Sequence, residues 1–312
     1  MLNFLIIGPI TTDINSFANQ VYTNIGGSVY YEAFVFENLN VNYTVLTTLK
    51  KDDFNLLNKF PDKSKISIVF KDETLEFKNI YITDSNRTQK SNFSNIPITK
   101  EDFIKTNINL KDYDAILINP LVNSDLDLNL LKYLSKYQIP ILLSLQGILK
   151  YPSYNDSIEY NVPLIFNEIL KYVDYIFCDD FEFNFIYPNM SQDDIFTIFK
   201  STNISEIIIT KNKKGSFVLD TIKNKSYNIN PIKPTKIISP TGAGDTYMAA
   251  YAYKRFNNCT IKESGNFASK IASLKLEKTD PLFKKLSDAC KKHSGLWNSE
   301  AEKILFEHMG VK

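Results

Sequence analysis

The chain has 312 residues, of which 44% are hydrophobic and 23% are charged, and its formal net charge is +1. These values are ordinary for a globular protein, and a chain of this length often folds as one α/β domain. The near-neutral charge gives no general attraction to nucleic acid or to an anionic membrane, and no stretch approaches the ~18 apolar residues of a membrane span. We therefore expect neither nucleic acid nor a membrane as a partner.

The cysteines and histidines restrict the chemistry. Cys178, Cys259 and Cys290 stand far apart and form no CxxC pair, which argues against a zinc site or a disulfide framework and favours a cytoplasmic protein. The two histidines, His293 and His308, both lie near the end of the sequence. The working groups should therefore be carboxylates, backbone amides and basic side chains. The apolar N-terminal run lacks the features of a signal peptide and predicts a first strand.

Short apolar runs alternate with amphipathic segments along most of the chain. Six runs are typical of buried strands: Leu5–Ile7, Thr44–Leu46, Ala115–Ile118, Ile141–Leu143, Tyr175–Phe177 and Ile207–Ile209. Five segments predict helices: Val29–Leu39, Asp125–Tyr137, Val162–Tyr172, Gly242–Phe256 and Lys262–Leu276. This alternation predicts an α/β fold whose mostly parallel sheet is covered by helices on both faces. Ligands bind such sheets beyond the carboxyl ends of the strands.

Two regions interrupt the alternation. Residues 13–25 are short and polar, and residues 66–93 carry strand-like runs with no helix between them. We expect both regions to form a small antiparallel lid beside the main sheet. Residues 281–312 predict a helical C-terminal extension after a single domain of residues 1–280.

The run Ser239–Tyr247, SPTGAGDTY, carries the clearest chemical signal. The run predicts the start of a helix, whose unpaired N–H groups and partial positive charge would favour anions. The small residues Gly242, Ala243 and Gly244 would let these amides approach a phosphate closely. Asp245 would repel a phosphate, so it fits a base that takes or orients the proton of a hydroxyl attacking phosphorus. A plain helix cap at this position is the structural alternative.

Three stretches in the same order resemble the signatures of the PfkB, or ribokinase-like, family of carbohydrate kinases over about residues 1–278. Gly8–Asp13 is similar to the first strand that ends in the substrate-binding aspartate of the family. Gly26–Ala33 is similar to its di-glycine signature, and Ser239–Tyr247 is similar to its second signature, which holds the catalytic base. The resemblance implies a three-layer α/β/α sandwich with a β lid, and ATP and Mg²⁺ as cofactors.

The resemblance also implies roles for individual residues. Substrate binding is implied for Asp13, Gly26, Gly27, Tyr31, Arg87 and Lys150. Nucleotide binding is implied for Thr210, Asn212, Gly215, Thr241 and Ser269. Contact with magnesium is implied for Asp179 and Glu182. Unless the fold brings them to the cleft, Arg87 and Lys150 are better explained as solvated surface charges. The resemblance leaves open whether a monovalent cation is needed and whether the lid pairs two subunits into a homodimer.

Several positions depart from the family pattern. At these positions this chain has Tyr31, Ser144, Asp179, Asn212 and Ser239 in place of the usual family residues. We expect an ATP-dependent kinase of a small polyol, which is a sugar, an inositol or a nucleoside. One alternative is a vitamin-precursor kinase acting on a hydroxymethyl pyrimidine or pyridine, a group that usually lacks the lid. The other is a non-catalytic ligand-binding protein on the same fold.

Overall fold

A computed structural model of the protein describes residues 1–17, 20–83, 86–94 and 97–282. In chain order its strands are β1 (Asn3–Ile7), β2 (Thr11–Phe17), β3 (Gln20–Gly26), β4 (Asn42–Lys50), β5 (Ile66–Lys71), β6 (Leu75–Thr83), β7 (Asn86–Ser91), β8 (Ala115–Ile118), β9 (Ile141–Ser144), β10 (Lys150–Pro152), β11 (Ile158–Tyr160), β12 (Tyr175–Asp179), β13 (Glu206–Thr210), β14 (Ser216–Asp220) and β15 (Lys225–Ile229). Its α-helices are α1 (Ser28–Asn38), α2 (Lys100–Lys105), α3 (Leu128–Leu134), α4 (Phe166–Ile169), α5 (Asp180–Ile186), α6 (Gln192–Phe199), α7 (Ala243–Phe256) and α8 (Ile261–Leu276).

Nine strands form the central sheet in the order β15-β14-β13-β12-β9-β8-β1-β4-β5. The seven strands from β13 to β5 are parallel, and β14 and β15 extend one edge in antiparallel pairing. All six predicted strand runs lie in this sheet, which confirms the mostly parallel arrangement. The parallel strands therefore end together at one edge, where a ligand site is expected.

Successive side chains of each central strand divide between two cores. In β1, Phe4 and Ile6 face the core beneath α1, α7 and α8, whereas Leu5 and Ile7 face the core that contains residues of α2, α3, α4 and α6. This period of two follows from the alternating direction of strand side chains. The predicted three-layer α/β/α sandwich is confirmed.

The predicted helices differ in how well they match. The α1, α7 and α8 helices agree with the prediction within a residue or two, whereas α3 and α4 are shorter than expected. Tight 3₁₀ turns at Ser135–Tyr137 and Leu170–Tyr172 continue these two helices. Such turns are common at helix ends, so the amphipathic pattern continues where the α-helical hydrogen bonding does not.

The lid is a four-stranded sheet in the order β3-β2-β6-β7. It contains two antiparallel hairpins, joined by parallel pairing of β2 with β6. The second of the two expected lid segments is residues 66–93, but β5 at its start instead pairs in parallel with β4 in the central sheet. Ile66 and Ile68 pack on one core and Val69 on the other, so both faces of β5 have a core to cover.

The predicted C-terminal extension of residues 281–312 lies almost entirely outside the described residues. Within them, Leu282 is buried and its carbonyl accepts a hydrogen bond from Asn38 Nδ2 at 3.2 Å. Among the helices of the described ranges, none is long and apolar enough to cross a membrane.

A buried polar cluster joins α7 to the start of β13. Glu206 is 2% exposed, and its carboxylate accepts hydrogen bonds from Tyr251 Oη at 2.6 Å and from Arg255 Nε at 2.7 Å. Burial raises the pKa of Glu206, and the two partners act in the opposite direction. The helix that begins at the candidate site is thus fixed to the sheet near its C-terminal end.

Arg255→Met should lower the free energy of unfolding by about 2 kcal/mol at neutral pH, less than for fully buried pairs because Arg255 is partly exposed. The loss should be smaller in acid, where Glu206 is protonated and no longer needs a cationic partner. A buried carboxyl with a raised pKa stabilises the fold below its unfolded pKa of about 4.3, and this stabilisation is lost as the pH rises. Urea unfolding between acid and neutral pH measures this. Adding Glu206→Gln should restore part of the stability at neutral pH, and an unchanged loss in the double variant would contradict this account.

Candidate active site

The turn that begins α7 depends on one glycine. Gly242 is the N-cap of α7 and has φ +78°, in the left-handed region that favours glycine. A Cβ at this position would lie 2.3 Å from Cδ1 of Tyr31. By contrast, a Cβ on Gly244 would meet no atom within 4 Å, so the backbone at Gly244 faces open space. The amide of Ala243 donates to the Pro240 carbonyl at 3.2 Å, so it is engaged within the turn.

Asp245 lies in the first turn of α7, next to the open backbone. The hydroxyl of Ser28, at the start of α1, donates a hydrogen bond to its carboxylate. Burial raises the pKa of Asp245, whereas the Ser28 bond and the charges of Lys150 and Lys275 lower it. The carboxylate is therefore held in place by one helix and its charge is balanced by two lysines.

Asp13 lies in the lid hairpin against bare backbone. Thr11 Oγ1 donates to Asp13 Oδ1 at 2.7 Å, and a Cβ on Gly26 would lie 2.4 Å from Asp13 Oδ2. Gly27, with φ +99°, is the N-cap of α1, where a Cβ would lie 2.5 Å from the Pro9 carbonyl oxygen. Both glycines are thus required by close approach, and they place Asp13 over the start of α1.

Tyr31 connects the two aspartates. It is 6% exposed, and burial followed by the charges of Asp13 and Asp245 raises the pKa of its hydroxyl. Because both carboxylates act on the same phenol, Asp13 and Asp245 both lie near the Tyr31 hydroxyl. The fold brings together these residues from β2, α1 and α7.

Lys150 is buried rather than solvated. It is 4% exposed, its Nζ donates to Gln89 Oε1 of the lid at 3.3 Å, and it stands 5.4 Å from the centroid of the Phe77 ring. Its charge lowers the pKa values of Asp245 and of two further carboxyls, Asp125 and Glu182. The surface alternative for Lys150 is therefore wrong. The backbone of Arg87 lies in β7, and its side chain falls outside the described residues.

Asp179 and Glu182 form a reciprocal cap at the start of α5. Asp179 Oδ1 accepts from the Glu182 amide and Glu182 Oε2 accepts from the Asp179 amide, both at 2.8 Å. Burial and then the Asp179 charge raise the pKa of Glu182 to about 7. The described residues contain no group of three or more potential metal ligands. Two such carboxylates fit a Mg²⁺ ion that arrives with the phosphates and keeps several waters, not an all-protein cage.

The loop after β13 carries three lysines, Lys211, Lys213 and Lys214. A hydrogen bond joins the two ends of this loop, since the Lys211 amide donates to the Gly215 carbonyl at 2.7 Å. Asn212, which replaces a family glycine, has φ +49°, and asparagine tolerates this left-handed region better than other side chains. The substitution therefore keeps the backbone conformation that the family glycine would allow.

The remaining residues of the nucleotide prediction differ in their environments. Thr210 ends β13 and donates to the Cys178 carbonyl at 3.4 Å, while Thr241 directly precedes the Gly242 turn and is partly exposed. Ser269 is 8% exposed, and its hydroxyl is hydrogen-bonded to that of Tyr247 in the interior between α7 and α8. The structure does not present the Ser269 side chain to an open site.

Residues 151–286 match the pfkB family carbohydrate kinases. The matched residues are similar to that family and make up less than half of the chain. Among curated relatives, a nucleoside kinase of Methanocaldococcus jannaschii is 26% identical over 141 residues, which cover 44% of this chain and 41% of that protein. A ribokinase of Lactococcus lactis is 26% identical over 111 residues, which cover 36% of this chain and 35% of that protein. The chain thus spans less than half the length of these curated relatives.

Solved structures extend the likeness across most of the chain. A pyrophosphate-dependent kinase in the ribokinase family, solved with sulfate, has a TM-score of 0.78 and 23% identity over 92% of this chain and 99% of that chain. Arabidopsis thaliana ribokinase, solved with ribose and ATP, has a TM-score of 0.72 and 16% identity over 93% of this chain and 98% of that chain. At these identities the likeness concerns the fold, which is therefore ribokinase-like, as predicted.

Sequence reasoning missed three polar residues at this candidate site: Ser28, Asp125 and Lys275. Ser28 stood inside the di-glycine signature but was given no role. Lys275 follows Ile271 and Leu274 at helical spacing, so its place on the apolar face of α8 was a usable signal of burial. Asp125 carried no local signal, because its amide partners at Leu121 and Val122 belong to a loop.

Lys150→Met should raise the pKa values of Asp125 and Glu182 further above their present values of about 7. The reason is that the variant removes a cation that lowers both pKa values. Carboxylate ¹³C NMR titration measures the two shifts directly. Lys136→Met, at an exposed lysine, is the matched control. Titration curves that stay unchanged in Lys150→Met would show that this ammonium does not act on the acids.

Proposed function

We propose that this protein transfers a phosphoryl group from ATP to a hydroxyl group of a small polyol, which is a sugar, an inositol or a nucleoside. One observation carries the proposal. The Asp245 carboxylate, held by Ser28, stands beside a left-handed glycine turn and faces the same phenol as Asp13. A carboxylate at an anion-favouring helix start would repel the phosphate, but it can accept a proton from an acceptor hydroxyl.

In this mechanism Asp13 binds the acceptor, and Asp245 takes the proton of the attacking hydroxyl. The acceptor oxygen forms a bond to the γ-phosphorus, and the bond from that phosphorus to the bridging oxygen breaks, which releases ADP. The raised pKa of Asp245 makes it a better proton acceptor than an ordinary aspartate. Catalysis by such a base is most effective when the pKa of the base lies near the working pH.

The backbone of the Gly242 turn and the open backbone at Gly244 would stabilise the charge on the transferring group. Lys150 adds a positive charge from the side of the lid, and the lysine-rich loop at 211–214 would hold the remaining phosphates. Mg²⁺ would be held by those phosphates and by Glu182, and it would neutralise phosphate charge when bound. All these charges act more strongly once water is excluded.

The lid bears on the competing functions. Its four strands carry Asp13 and, through Gln89, reach Lys150. The presence of a lid argues against the vitamin-precursor alternative, whose group usually lacks one. A closed lid would also prevent water from replacing the acceptor. The non-catalytic alternative is based partly on the substitution at Asn212. Because Asn212 adopts the left-handed conformation, that argument is weakened, whereas Ser144 and Ser239 still differ from the family pattern.

Asp245→Asn should lower phosphoryl transfer by about 100- to 10,000-fold, because an amide cannot accept the proton. ADP affinity and the unfolding midpoint should change little, since the amide is nearly isosteric and can still accept the Ser28 bond. Steady-state kinetics, calorimetry and urea unfolding provide the three readouts. Asp193→Asn, at an exposed position on α6, is the matched control. Activity within a few-fold of the wild type would rule out Asp245 as the base.

The donor and the acceptor are tested together by ³¹P NMR. Pentoses, hexoses, inositols and nucleosides are each offered with ATP and, in parallel, with pyrophosphate. Pyrophosphate is included because one of the similar structures is described as a pyrophosphate-dependent kinase. We expect a phosphomonoester product from at least one polyol with ATP. Nucleotide binding without turnover across the panel would favour the non-catalytic alternative, and turnover with pyrophosphate alone would revise the donor.

A further inference from the structure

A second buried lysine lies behind the candidate site. Lys275, in the last turn of α8, is 0% exposed, and its Nζ donates to the Lys278 carbonyl at 3.0 Å. A buried ammonium with so few partners is costly, because burial disfavours the charged form. None of the mechanistic steps above uses it.

The surroundings of Lys275 point toward the α7 turn. Its Nζ lies 5.5 Å from the centroid of the Tyr31 ring, and the same ring blocks the space that a Cβ on Gly242 would need. The segment before the turn is attached to the end of α8, since the amides of Ile238 and Ser239 both donate to the Leu276 carbonyl. The ring of Tyr31 thus links the ammonium to the glycine turn.

Charged and titratable groups face this ammonium from each neighbouring element. Tyr31 comes from α1, Asp245 from α7 and Asp280 from the segment after α8, and Tyr30 of α1 also responds to Asp280. Burial lowers the pKa of Lys275 to about 8, and the two aspartates act against that change. The reciprocal effect is that Lys275 lowers the pKa of Asp245.

We propose that Lys275 is a positioning residue whose buried ammonium is a built-in cation for the anion-binding turn at Thr241–Gly244. It holds Asp245 ionised and strengthens binding of the terminal phosphate of the nucleotide, both in the donor ATP and in the product ADP. A fixed internal charge would also make an added monovalent cation unnecessary at this turn. The proposal rests on the proposed function, because it assigns the turn to a phosphate donor.

A purely structural role is the competing explanation. Lysine side chains near a helix C-terminus often bind the last carbonyls, and the bond to Lys278 fits this description. Such a cap would affect stability but not anion affinity or its pH dependence. The two roles therefore predict different results in the same variants.

The test compares wild type, Lys275→Met and the control Lys262→Met, an exposed lysine on the same helix. Calorimetry with ADP and with pyrophosphate should show roughly tenfold weaker binding in Lys275→Met and no change in the control. In the wild type, ADP affinity should fall as the pH rises through about 8, where the ammonium is lost, and this decrease should be absent in Lys275→Met. Equal affinities and equal pH profiles would overturn the proposal.

Chemical rescue covers the case in which Lys275→Met is unstable. Lys275→Ala leaves space for methylammonium, which should restore ADP affinity towards the wild-type value, whereas tetramethylammonium should not. Lost stability with no change in affinity, or failure of both variants to fold, would assign Lys275 to capping alone. Replacing K⁺ by tetramethylammonium should leave wild-type ADP affinity unchanged.

The test is independent of turnover. If wild type binds ADP but phosphorylates no acceptor, the proposed function fails, and the affinity comparison still decides the role of Lys275. If wild type turns over and the three proteins bind ADP alike, only the Lys275 proposal fails.

Discussion

The contact between Gly242 and the ring of Tyr31 is the constraint that organises this site. A Cβ on the glycine would lie 2.3 Å from the ring, and its φ of +78° excludes most other residues. The contact brings the start of α7 against α1, and this approach lets Ser28 reach Asp245. The Tyr31 ring also faces the ammonium of Lys275 on α8. Three helices therefore meet at one aromatic ring.

The balance of charge follows from that convergence. Burial raises the pKa values of Asp245, Glu182 and Asp125, because a low-dielectric surrounding disfavours their ionised forms. Two buried lysines, Lys150 from the lid side and Lys275 from behind the turn, oppose this effect at Asp245. Carboxyls whose pKa lies nearer neutrality exchange protons more readily at physiological pH, as general base catalysis requires.

The substitutions that depart from the family pattern change the local backbone little at Tyr31, Asp179 and Asn212. Asn212 adopts the left-handed conformation that the replaced glycine would allow, and Asp179 caps α5 in a reciprocal pair with Glu182. Tyr31 has become the ring on which Gly242 packs, so its presence changes the wall of the site and not its backbone. These residues preserve the local geometry even where the side-chain chemistry differs, which favours an active enzyme over a degenerate one.

Local patterns in the sequence predicted the parallel sheet, α1, α7 and α8, because short-range periodicity and glycine-rich turns depend on neighbouring residues. Tertiary structure decided the rest. It placed β5 in the central sheet, since two cores were available to cover it. It also buried Lys150, Lys275 and Ser269, whose environments are built by elements far away in the chain. A residue's own sequence neighbourhood does not determine which distant carboxylates or rings will surround it, and at this site those surroundings set the charge.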